Sequence, residues 1–213
     1  MYSTDCRANY ETESKLLINW FTWFQSEFDD LNPKIFIDAR YRANPYERIG
    51  KSIFQNRAAI KMANIDKVAK LTEVKKLEEE KNMLYFCDIC AGPGGFTEFI
   101  YYKYKTEGAK GWGITLKGKD DFRLDKFNPD SPHDNFEICY GEDGTGDITK
   151  NSNIKKFGEV IDAGTNGRGV ALLTADGGFS VQGNENEQEH ITKQLILCQC
   201  ITAMYVLRKG IYI

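Results

Sequence analysis

From Met83 onward the chain alternates between short apolar runs rich in β-branched and aromatic residues and longer stretches with helical spacing. That alternation constrains the fold more than any other feature. MLYFCDICA (83–91) reads as a strand and leads through glycines into a helical FTEFIYYKYK (96–105). GWGITL (111–116) and NFEICYG (135–141) read as the second and third strands, NIKKFGEVIDA (153–163) as a helix and VALLTADGG (170–178) as the fourth strand. EQEHITKQLILCQCITAMYVL (187–207) reads as a long helix, and GIYI (210–213) begins a fifth strand. Strands separated by helices need crossover connections, so the expected fold is α/β, a doubly wound, mostly parallel sheet that binds its ligand at the carboxyl ends of its strands.

Upstream, Leu16, Leu17, Trp20, Phe21, Trp23, Phe24 and Phe28 recur at helical spacing between Ser14 and Phe28, predicting an amphipathic helix whose aromatics pack into a core. Glu47 to Glu80 carries a long helical pattern, with Asn64 and Asp66 as the place where it would divide in two. The expected organisation is a helical extension over residues 1–33 followed by the α/β domain over 34–213. A chain of 213 residues, 41% hydrophobic and 28% charged, is long enough for one substantial core, and its composition excludes a disordered, collagen-like or disulfide-scaffold protein. No apolar run approaches the ~20 residues of a membrane span, and the first thirty residues carry acids where a signal peptide would be basic and then apolar, which predicts an intracellular chain. The six cysteines include a CxxC (Cys87, Cys90) and a CxC (Cys198, Cys200), but they stand in apolar segments, where core thiols are expected ahead of a zinc site.

The net charge of −3 hides an asymmetry. Between Lys34 and Lys76 eleven Lys and Arg face four acids, an excess of seven, so the remainder carries a deficit of ten. Such a segment is either a solvated helix face or a surface that attracts a polyanion.

The strongest local motif is DICAGPGGF, Asp88 to Phe96, between an apolar strand and a helix. Glycines there allow close backbone approach, and a helix start favours anionic groups. A dinucleotide fingerprint would need glycine where Thr97 stands. A GxGG turn after an acid suits the amino-acid end of S-adenosylmethionine, which needs backbone donors for its carboxylate and an acceptor, here Asp88, for its amine; a tight turn without a ligand is the alternative.

DICAGPGGF, GDIT (146–149), ADGGFSVQGNENEQE (175–189), RANPYE (42–47) and NRAAIKMAN (56–64) together resemble the FtsJ-type ribose 2′-O-methyltransferases, and within them the eukaryotic enzymes that methylate the first transcribed nucleotide of capped mRNA. The resemblance implies a Rossmann-like methyltransferase fold with S-adenosylmethionine as cofactor, held by Asn56 and by Cys90, Ala91, Gly92, Pro93, Gly94, Gly95 and Phe96. It places Asp147 and Ile148 beside the adenine, although Asp147 by itself reads equally as a turn or cap residue. Of the family's Lys-Asp-Lys-Glu tetrad, Lys61 matches the first lysine and Asp176 the aspartate. Asp176 also stands at the carboxyl end of a predicted strand, whereas Lys61 alone reads as an exposed helix lysine. Arg40 and Asn186 match positions that hold the capped transcript. The partners so implied are the capped mRNA 5′ end and the transcription machinery, in the nucleus. The second lysine and the glutamate would fall beyond Ile213, together with the last strands of the sheet, so a shortened chain with little turnover of its own is expected. A non-catalytic cofactor- and RNA-binding module and a ribosomal or transfer RNA 2′-O-methyltransferase are the alternatives.

Overall fold

The computed structural model describes residues 15–17, 19, 20, 23, 31–44, 49–73, 83–178 and 188–210. It divides the chain into two compact units, residues 1–49 with 181–189 and residues 50–180 with 190–213. In the first, helix α1 (Pro33–Ala43) starts with proline and is capped by Asn32, whose Oδ1 accepts the Lys34 N–H at 2.9 Å. None of its residues is buried. Residues 15–17, 19, 20 and 23 are helical, as their spacing predicts, and the rest of that predicted helix lies outside the described residues. Leu16, Leu17, Trp20 and Trp23 are largely exposed instead of packed in a core. Among the described residues, both core clusters are built from residues of the second unit.

The second unit opens with helix α2 (Arg57–Ala69), much shorter than the 47–80 pattern predicts. Residues 50–56 turn, and Asn56 in extended backbone caps the helix through Oδ1 to the Ala58 N–H at 2.9 Å. Lys70 in the left-handed conformation ends it, and 74–82 lie outside the described residues. Asn64 and Asp66 do not divide the helix. Asp66 is buried and accepts from the Thr72 N–H at 2.7 Å, the Thr72 hydroxyl at 2.8 Å and the Lys103 ammonium, so it ties down the exit of the helix.

Among the described residues four strands follow: β1 (Leu84–Ile89), β2 (Ala109–Ile114), β3 (Phe136–Cys139) and β4 (Leu172–Ala175). They are all parallel, in the order β3-β2-β1-β4. Helix α3 (Gly95–Lys103) follows β1, α4 (Asn151–Thr165) follows β3 and α5 (Gln188–Val206) follows β4. Strand period two sends Leu84 and Phe86 to one face, with Met62, Phe96, Phe99, Ile100 and Tyr101 of α2 and α3. Cys87 and Ile89 go to the other, with Ile154, Phe157 and Ile161 of α4 and Leu195, Cys198 and Val206 of α5. Both faces of the sheet are therefore covered by helices, as the alternation requires. Beyond α5, Leu207 bridges in parallel to Val170, while residues 211–213 of the predicted fifth strand lie outside the described residues.

Among the described residues no helix is long and apolar enough to cross a membrane. Cys87, Cys139 and Cys198 are buried free thiols; Cys200 is exposed.

Candidate active site

The chain leaves β1 toward β2 and β3 on one side and returns as β4 on the other, so the strand order reverses at β1. At such a switch point the loops after the two central strands diverge and leave a crevice. The glycine loop follows β1, and Asp176 follows β4.

The loop is anchored at both ends. Cys90 takes a left-handed conformation and donates its N–H to the Ile114 carbonyl at 2.7 Å. Gly92 precedes a cis bond to Pro93, and its N–H donates to Thr115 Oγ1 at 3.3 Å. A Cβ on Gly92 would lie 1.7 Å from the Asp120 carbonyl oxygen, so only glycine fits between that backbone and the cleft. Gly94, at φ +103°, turns the chain into α3, and a Cβ on Gly95 would meet Asn56 Oδ1 at 2.3 Å. Asn56 and the glycine loop are thus in direct contact.

Thr97, in place of a third glycine, is fully buried and donates its N–H at 3.1 Å and its hydroxyl at 2.7 Å to Asp88 Oδ2. Thr174 of β4 donates to the other oxygen at 2.7 Å. Asp88 therefore braces β1, α3 and β4 beneath the loop. Burial pushes its carboxyl up to about 6, against the pull of these hydrogen bonds and with a further push from Asp176. The Cys90 thiol is pushed up to about 12 by burial and by the charges of Asp88 and Asp147, which leaves it neutral.

Above this floor lies a shallow cleft open to solvent, lined by Asp88, Cys90, Ala91, Gly92, Pro93, Gly95 and Phe96, with Ala58 of α2 and Asp176. Lys61, one turn along α2 from Ala58, forms an ion pair with Asp176. Its ammonium also stands 5.6 Å from the centre of the Phe96 ring. Both charged groups are about half exposed, at 52% and 44%, and so remain accessible to a ligand.

The loop 141–149 comes against the end of β2, where the Lys117 N–H donates to the Thr145 carbonyl at 3.0 Å. Asn153, fully buried on α4, holds it: Nδ2 donates to Asp143 Oδ1 and to the Asp147 carbonyl, both at 2.9 Å, while Oδ1 accepts the Asp143 N–H at 3.2 Å. Lys150, with Thr145 and Asn153, holds the Asp143 carboxyl well below the usual range. Asp147 Oδ1 accepts the Thr149 N–H at 2.9 Å and its hydroxyl at 2.7 Å, the turn geometry that the sequence left open for it. The Ile148 side chain is buried in the core.

Most of the residues singled out from sequence gather here. Arg40 lies on α1, in the other unit, and Asn186 lies outside the described residues. Sequence reasoning missed Thr97, Thr174 and Asn153. Thr97 carried a signal, since it stands where a dinucleotide loop has glycine; the other two carried none. Among the described residues, no three His, Cys, Asp or Glu are grouped to hold a metal ion.

A family model described as FtsJ-like methyltransferase matches residues 54–213. The chain belongs to the FtsJ-like methyltransferase family. It is 46% identical over 209 residues to the cap-specific mRNA (nucleoside-2′-O-)-methyltransferase 1 of Danio rerio, covering 92% of this chain and 25% of that protein. It is 42% identical to the cap-specific mRNA (nucleoside-2′-O-)-methyltransferase 1A of Caenorhabditis briggsae and 41% identical to the inactive 1B protein of that organism, covering 86% of this chain and 23% and 24% of theirs. The chain spans about a quarter of the length of the curated relatives it matches. The cleft suits the family's cofactor, S-adenosylmethionine: Gly95 and Phe96, whose N–H groups open α3 beside the cleft, fit a carboxylate, and Ala58, Pro93 and Phe96 supply apolar wall.

Proposed function

We propose that this chain is the S-adenosylmethionine-binding catalytic unit of an mRNA cap ribose 2′-O-methyltransferase acting in the nucleus. The observation that carries the reading is the Lys61–Asp176 pair at the rim of the glycine-loop cleft. When bound, S-adenosylmethionine supplies an electrophilic methyl group on a cationic sulfur. The glycine loop, Asn56 and the 141–149 loop would hold it, and Asp176 fixes the Lys61 ammonium where a ribose 2′-hydroxyl would approach. Transfer would require that hydroxyl to be held in line with the methyl, and the Lys61–Asp176 pair is the part of this chain placed to orient it.

Lys51, Arg57, Lys61, Lys67 and Lys70 are exposed along and before α2, which supports phosphate contact beside the cleft. Selectivity for the capped 5′ end rests on the relatives' names. One relative of nearly equal identity is named inactive, so a non-catalytic binding module is the second reading, and turnover decides between them.

The test is calorimetric titration of the chain with S-adenosylmethionine, followed by methyl transfer to capped and uncapped short RNA. Binding, with transfer to capped RNA, supports the proposal. Binding without transfer supports the module, and absence of binding overturns both.

A further inference from the structure

Glu98, on α3, is a fully buried carboxylate whose two oxygens reach different segments. Oε2 accepts the Gln55 N–H at 2.9 Å, and Oε1 accepts the Asn128 N–H at 2.7 Å. Burying a carboxylate is costly unless hydrogen bonds replace its water, and here main-chain donors do so. Each donor residue also uses its side chain. Gln55 Nε2 donates to the Pro93 carbonyl in the glycine loop at 3.0 Å, and Asn128 Nδ2 donates to the Ile53 carbonyl at 3.0 Å. The Pro93 carbonyl receives the Arg123 N–H as well, at 3.1 Å. The result is a closed circuit from the segment before α2, through α3, to the glycine loop and back.

We infer that Gln55 and Glu98 are positioning residues that lock the lysine-bearing helix α2 to the glycine loop and so set where Lys61 stands relative to the bound methyl donor. The inference rests on the proposed cofactor reading and deepens it. Gln55 directly precedes Asn56, which caps α2 on one side and touches Gly95 on the other. Lys61 follows on the second turn of that helix, so a slip at Gln55 moves Asn56, the loop and the ammonium together. Neither Gln55 nor Glu98 touches the Lys61–Asp176 pair, so their effect passes through the backbone.

Two variants break the circuit at different points. Gln55→Met keeps the length of the side chain and removes the donor to Pro93. Glu98→Gln keeps its shape but turns an amide N–H₂ toward one of the two main-chain donors. Asn135→Ala removes a hydrogen bond from Tyr101 well away from the loop and serves as a purely structural control. S-adenosylmethionine affinity is measured by calorimetry well below each variant's unfolding temperature, where only folded protein contributes. The expected result is an affinity lowered on the order of tenfold for Gln55→Met and for Glu98→Gln, with Asn135→Ala binding like wild type despite a lower Tm. Wild-type affinity in Gln55→Met, which is only partly buried and so the milder change, would overturn the inference while leaving the proposed function standing. No binding by the wild-type chain would overturn both.

Discussion

Lys61 and Asp176, 115 residues apart in sequence, meet as an ion pair over the cleft at the strand-order reversal. The pair exists because α2 packs on the face of the sheet next to α3 while β4 returns alongside β1. If it aligns the acceptor hydroxyl, Lys61→Ala lowers the rate of methyl transfer at saturating S-adenosylmethionine by about 10²–10⁴. Its affinity for the cofactor stays near wild type, because Lys61 does not line the floor of the cleft. Single-turnover transfer to capped RNA, beside calorimetry, checks both parts.

Asp88 predicts a pH dependence of stability. Its carboxyl titrates near 6 in the folded protein and at the ordinary 3.8 when unfolded, so between these values the folded state binds more protons. Stability then falls as pH rises from about 4 to about 6 and levels off above, by about 3 kcal/mol from this group. Asp88→Asn removes that slope. Urea denaturation from pH 4 to pH 8, read as the difference between wild type and variant, cancels the other titrating groups and isolates it.

Gly92→Ala is expected to damage binding more than folding. The added Cβ has no room against the Asp120 carbonyl, so the loop must move away from 120–121 and into the cleft. An affinity for S-adenosylmethionine at least about tenfold weaker follows, since the backbone donors no longer converge. Far-UV circular dichroism close to wild type, beside the calorimetry, distinguishes this from unfolding.

Asn153→Asp tests how the 141–149 loop is held. The substitution replaces a donor amide by a carboxylate facing the Asp143 carboxyl and the Asp147 carbonyl. A loss of about 2–4 kcal/mol in urea denaturation is expected, from an unsatisfied buried charge beside a like one. Amide hydrogen exchange in residues 143–149 should speed up more than in β1.

The glycine loop was legible because it is contiguous. A strand, a turn requiring small residues and a helix start occupy one short stretch, and each has its own local signature. The extent of α2 was not legible, since residues 49–56 carry helical spacing that the Asn56 cap and the preceding turns override. Nor was the burial of Ile148: an apolar residue beside a turn looks alike whether it meets a ligand or the core.

The sequence by itself determined the parallel, doubly wound sheet, the loop at the end of β1 and the placement of Asp176 at the end of β4. Periods of two and 3.6 residues and the glycine turn act over neighbours along the chain. Only the tertiary structure decided that Lys61 reaches Asp176, that Asp88 is spent on Thr97 and Thr174, and that Glu98 ties Gln55 to Asn128. Those pairings depend on which strand lies beside which and on which face each helix covers. These are outcomes of burying both faces of one sheet at once, and no local pattern encodes them.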